Sequence, residues 1–126
     1  MKLFISVILF FSFNNAYSWT FIARSEIGAD FYVDLNSKER NGRLFTAYTL
    51  TNWDVPQMSG GMKVKSTIYK YEFDCVENRQ RKRFGSVWSG NMGNGAELHT
   101  WYIEGEWEYS KPGSTRGAII DFVCNH

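Results

Sequence analysis

Cysteine, proline and histidine each occur only twice in this chain, and neither sign of charge dominates, with 14 basic residues against 13 acidic. Each shortage removes a class of explanation. His99 and His126 are the only imidazoles, and neither stands at a ligand-like spacing from a cysteine, so no structural metal is expected. A near-neutral chain is a poor match for nucleic-acid binding, which draws on net positive charge and phosphate neutralisation. There is no G-x-S-x-G elbow, no H-E-x-x-H and no Cys/His pair outside a presumed bridge. Neither an enzyme nor a cofactor-dependent protein is expected.

The one long apolar run lies at the N-terminus. In MKLFISVILFFSFNNAYSWT, Lys2 is a short positive region and Leu3 to Phe13 is apolar apart from its serines. A polar segment then ends in Ala16, Tyr17 and Ser18. This is the pattern of a secretory signal peptide over residues 1–18, cleaved after Ser18 to leave Trp19 first. The run falls short of the roughly 20 apolar residues that span a bilayer, so a membrane anchor is the weaker reading. Losing Lys2 with the leader brings the 14 basic residues to 13, equal to the acidic count. Residues 19–126 suffice for one domain with a modest core, which gains from a staple.

Export places Cys75 and Cys124 in an oxidising compartment, where two cysteines allow a single intramolecular pairing. A bridge closes a loop of about 50 residues, worth about 4 kcal/mol on the chain-entropy account. A reactive thiol and a metal ligand are the competing readings.

Aromatic and β-branched residues are abundant and alternate with polar ones in short runs, as antiparallel strands require. Residues 19–23 and 31–35 are short candidates. RNGR at 40–43 carries the Asn-Gly hairpin signal, and 43–52 reads as a long strand. DVPQMSGGM at 54–62 reads as a loop because Pro56 and two glycines interrupt the pattern. From Thr67, one face of the next strand shows Thr67, Tyr69, Tyr71, Phe73 and Cys75, and the other Ile68, Lys70, Glu72 and Asp74. Cys75 thus shares the aromatic face. Strands at 79–88 and 98–109 follow, joined by the Gly-rich 89–95. After Pro112 and Gly113 the period changes. Ser114 can cap a helix whose stripe holds Ile119, Ile120, Val123 and Cys124, and Gly117 weakens it by about 1 kcal/mol relative to Ala. The expected fold is α+β, a single antiparallel sheet with a C-terminal helix on its aromatic face and Cys124 meeting Cys75.

Three stretches invite chemistry. SGNMGNG at 89–95 has the glycines of a phosphate cradle, but its flanks read as strands and favour a hairpin connection. Glu104, Glu106 and Glu108 share one strand face, whereas glycoside chemistry needs carboxylates facing each other across a cleft. They read as a solvated face. Arg79, Arg81 and Arg83 project from one face of a regular strand. They either pair across the sheet with those glutamates or form a positive stripe for an acidic partner. Phe84 and Trp88 have the opposite parity, which weakens an RNA-binding version of that stripe.

YVDLNSKERNGRLFTAYTLTN at 32–52, PQ at 56–57, KVKSTIYKYEFDC at 63–75, RQRKRFGSVWSGNMGNG at 79–95, WEYSKPGS at 107–114 and the closing DFVC form an ordered series. On these segments residues 19–126 resemble the surface-adhesin protein E family of Gram-negative bacteria. The resemblance implies an antiparallel sheet with a C-terminal helix attached through the cysteine pair. It also implies an envelope protein that binds host matrix or serum proteins and has a capacity to dimerise, with no catalytic motif to carry over. The family's adhesin is a surface lipoprotein. No lipid-acceptor cysteine follows the leader here, so no lipid anchor is expected, and a soluble periplasmic structural or accessory module is the alternative function. Export to the periplasm or beyond is the expectation either way.

Overall fold

The computed structural model describes residues 17–126, so the predicted leader lies outside the described residues except for Tyr17 and Ser18. Seven antiparallel strands form one sheet: β1 (Trp19–Ser25), β2 (Ala29–Asn41), β3 (Leu44–Ser59), β4 (Met62–Asp74), β5 (Arg79–Trp88), β6 (Glu97–Tyr102) and β7 (Glu108–Tyr109). The order is sequential from β1 to β6, and β7 lies beside β5 along the same edge as β6. Among the described residues one α-helix, α1 (Thr115–Asn125), packs on one face.

Two glycine-dependent turns set the central hairpins. Gly42, at φ +64°, is the first of two residues linking Asn41 to its partner Leu44. Gly60 and Gly61, at φ +55° and +77°, form the turn between Ser59 and Met62. Residues 54–59 therefore belong to β3, not to the expected loop. Pro56 is tolerated because it falls where the register shifts between Asn52 and Gln57, so no ladder hydrogen bond is lost there.

β2 also outruns its short expectation. Its polar half NSKERN continues the strand past an irregularity between Asp34 and Glu39. Polar groups stitch that irregularity: the Asp34 carboxylate accepts from Asn36 N at 3.0 Å. The Ser37 hydroxyl donates to Asp34 O at 2.6 Å and accepts from Tyr48 N at 2.9 Å.

The core lies between the sheet and α1, where Ile119, Ile120 and Val123 meet Val33, Ala47 and Phe73. Burying side chains of this size contributes about 1.5–3 kcal/mol each, enough to offset weak helix propensity. Ser114 caps the helix, accepting from Gly117 N at 3.0 Å. Cys75, just past β4, is bonded to Cys124 with their Cα atoms 5.7 Å apart. Helix, aromatic face and staple meet as the alternation predicts, which leaves neither cysteine as a thiol or a metal ligand.

The opposite face has its own cover. Ile68 and Leu50 are fully buried there beneath a strap formed by residues 89–95, which includes a single 3-10 turn at Asn91–Gly93. Asn52 and Ser66 hold it. The Asn52 side-chain oxygen accepts from Met92 N at 2.8 Å and Asn91 Nδ2 at 3.1 Å. The Ser66 hydroxyl donates to Gly90 O at 2.6 Å and accepts from Gly93 N at 2.9 Å.

Candidate binding face

The geometry of the three arginines turns on one extra residue. Arg79 stands opposite Asp74, Arg81 opposite Glu72 and Lys82 opposite Tyr71, but Lys70 is opposite Phe84. Arg83 is left out of the ladder as a β-bulge, so β5 is not the regular strand that the alternation assumed. Two consequences follow. Arg83 does not continue the stripe of Arg79 and Arg81. Beyond the bulge the parity reverses, because Phe84, Ser86 and Trp88 pair with Lys70, Ile68 and Ser66 on the same face of β4 as Glu72 and Asp74. Phe84 and Trp88 thus share a face with Arg79 and Arg81. The parity argument against an aromatic–basic surface fails, while the charge balance stands.

The bulge also reshapes the next strand. Ile103 N donates to Arg83 O at 3.1 Å and Gly105 N to Lys82 O at 3.0 Å, so residues 103–107 follow the bulge and leave the expected strand broken into β6 and β7. A Cβ at position 105 would stand 2.6 Å from the Lys82 carbonyl oxygen, which demands glycine at this crossing.

The glutamates do not compensate the arginines. Glu104 and Glu106 lie outside the strands, and Glu108 pairs with Arg116 of α1 at 3.2 Å. The compensating acids are on β4. Arg81 Nε donates to Glu72 at 2.6 Å and Arg79 Nε to Asp74 at 3.0 Å, with Arg43 on the same carboxylate at 3.2 Å. Asp74 is fully buried, and its second oxygen accepts from Val76 N and Glu77 N, both at 3.2 Å. Burial pushes the Asp74 carboxyl up, but the Glu77 N–H and the Arg79 and Arg43 guanidinium groups outweigh it and hold it below the usual aspartate value. Glu72 and Asp74 alternate on the strand preceding the arginines, a cross-strand signal that the sequence carries.

Two guanidinium groups also stack on one indole. Arg79 Cζ lies 4.2 Å and Arg81 Cζ 4.3 Å from the Trp107 ring. The Tyr109 hydroxyl accepts from Arg79 Nη1 at 3.3 Å. Phe84 and Tyr102 pack edge to face at 5.6 Å across β5 and β6. Tyr102 is 89% exposed and Tyr109 57%. The side chains of Arg79 and Arg81 are therefore fixed by ion pairs beneath and an aromatic ring beside them. Little rotamer freedom remains to be lost on contact with a partner. Arg83 is exposed and enters no ion pair among the described residues. Among those residues no three His, Cys, Asp or Glu converge on a common point. The arrangement presents fixed cationic and aromatic groups together at a surface.

The sequence profile of the family described as Surface-adhesin protein E matches residues 19–125. No curated protein matches the chain. Protein E of Haemophilus influenzae superposes with a TM-score of 0.65 at 10% identity, covering 85% of this chain and 83% of that one. Its crystal form II gives 0.61 at 12% identity over 75% and 80%. Protein E from non-typeable Haemophilus influenzae gives 0.59 at 11% identity over 83% and 75%. At such identities the likeness speaks for the fold alone, and side chains of the face must be judged on their own geometry.

Proposed function

Since this chain belongs to the surface-adhesin protein E family, we propose that it is an exported, non-enzymatic module of the bacterial envelope that binds protein partners, with host matrix or serum proteins as the class to test. The observation that supports this reading is the Arg79–Trp107–Arg81 stack with Tyr102 and Tyr109 exposed around it. Tyrosine, tryptophan and arginine are the residues in which interface energy concentrates, and a fixed set of them binds at lower entropic cost. Arg83 adds an exposed charge on the same strand, suited to steering an acidic surface into contact.

Binding of the purified protein to immobilised matrix and serum glycoproteins tests the reading, with Tyr102→Ala, Trp107→Ala and Arg83→Gln alongside. Loss of either aromatic should speed dissociation about tenfold or more, as at interface hot spots. Arg83→Gln should slow association and flatten its salt dependence. Binding that is the same in all four proteins, or absent from the unaltered one, would defeat the proposal. Protease shaving of intact cells, compared with an osmotic-shock extract, separates surface display from a periplasmic accessory role.

A further inference from the structure

Beneath the first turn of α1, on the sheet face opposite the arginine stack, lies a cleft of about 250 Å³. Its neighbours under the helix are apolar, as a helix–sheet contact requires. Its floor is not: Thr49, Thr51 and Gln80 line it and are 3%, 8% and 4% exposed. The Gln80 side-chain oxygen is buried without a hydrogen-bond partner. Such groups are rare in folded proteins and point to a missing partner. The carboxamide turns about its last torsion, so it can present its oxygen to a donor that enters. Charge gathers at the mouth. Arg116 on the helix pairs with Glu108 on β7, and Lys82 lies over the Tyr69 ring at 4.7 Å, with no ion pair among the described residues. Phe31, Tyr71 and Ile119 supply apolar walls.

We infer that this cleft binds a small carboxylate carrying a hydrogen-bond donor on the adjacent carbon, an α-amino or α-hydroxy acid. The carboxylate faces Lys82 and Arg116, and the donor faces Gln80. Lys82 is the cation left to be neutralised, Gln80 the acceptor left to be filled, and both line one cavity. The volume lies below the range of about 300–1,000 Å³ typical of drug-sized ligands, which limits the occupant to a few heavy atoms. The inference does not depend on the protein-docking face, because residues 80 and 82 point away from residues 79 and 81.

Titration of the 15N-labelled protein tests it, with L-serine and L-alanine as amino acids, lactate and glycerate as hydroxy acids, and acetate and ethanolamine as controls lacking the donor or the carboxylate. Saturable shifts of the Gln80 side-chain amide and of the Thr49 and Thr51 amides are expected for at least one acid class, which also names the source. The two controls should bind about tenfold more weakly or worse, the loss of one charge-assisted contact. Lys82→Met should weaken binding by a similar factor, and Gln80→Leu should abolish it. If Gln80→Leu does not fold, Thr51→Val, of equal shape, is expected to weaken binding in its place. The inference is overturned if no probe gives saturable shifts, if acetate matches the full acids, if the shifts centre on Arg83, or if Lys82→Met leaves affinity unchanged.

Discussion

The helix and the strap cover opposite faces of the same strand by opposite chemistry. α1 closes its face with Ile119, Ile120 and Val123 and is tied down by the Cys75–Cys124 bridge. The strap closes its face with backbone N–H and C=O groups held by two polar side chains, Asn52 and Ser66. Apolar closure is non-directional and tolerates small shifts, whereas hydrogen-bonded closure fails when one partner is lost. The two sides should therefore break differently, and they should break independently.

The sharpest contrast comes from the staple. Cys124→Ser or Cys75→Ser should lower unfolding free energy by about 2–5 kcal/mol, read from denaturant melts, since the bridge closes a 49-residue separation. Hydrogen exchange should rise in α1 while the amides of Met92 and Gly93 stay protected. Equal loss of protection on both faces would erase the distinction drawn between the two covers.

Ser66→Ala comes next, at about 1–3 kcal/mol, because it strands the Gly93 N–H and the Gly90 carbonyl beneath the strap. Exchange should then accelerate at 90–95 with α1 unaffected. A change confined to the helix would contradict the assignment of these hydrogen bonds.

Acid sharpens the comparison further, since the core contacts of α1 are apolar, whereas the strap's face holds the buried Asp74. The folded carboxyl titrates below its unfolded value of about 3.9. Its contribution is thus complete above that pH and is lost as pH falls through the folded value. Urea midpoints should drop as pH falls below about 4, and Asp74→Asn should flatten that limb of the profile while lowering stability near neutrality. An unaltered acid limb in the variant would remove Asp74 from this role.

Gly117→Ala tests how local preference yields to packing. In an isolated helix the change gains about 1 kcal/mol. Here a Cβ would meet Lys111 O at 2.9 Å and Ser114 Oγ at 3.2 Å, so thermal melts should show no gain and a loss of up to about 1 kcal/mol. A rise in Tm of several degrees would show that the cap relaxes freely. The smallest effect is expected from Arg83→Gln, within about 0.5 kcal/mol, because this residue stands outside the ladder and outside the ion pairs. A larger loss would mean that the bulge depends on its charge.

Much of the fold was legible in the residues themselves. The two-residue alternation from Thr67 to Cys75, the stripe from Ile119 to Cys124, the Ser114 cap and the pairing of two cysteines are local or combinatorial signals. Each is set by backbone geometry or by parity, which distant residues do little to alter. The candidate face was only half legible. Arg79 and Arg81 were singled out, but their acids, Glu72 and Asp74, come from β4, and the ring between them, Trp107, from the segment between β6 and β7. Gly85, two residues past Arg83, hints at an irregularity, but it does not say which residue leaves the ladder. A one-residue slip reverses every side chain beyond it, so the facing of Phe84 and Trp88 was open until the pairing partner was known. The strap was hidden for a related reason. SGNMGNG reads as a hairpin connection until Asn52 and Ser66, 40 and 27 residues before the amides they bind, arrive beneath it. Periodicity and chemistry along the chain determined most of the elements and the buried faces of β4 and α1. Register, and with it the company kept by Arg79, Arg81 and Gln80, was decided only when strands met, because it depends on hydrogen bonds between residues that the sequence holds far apart.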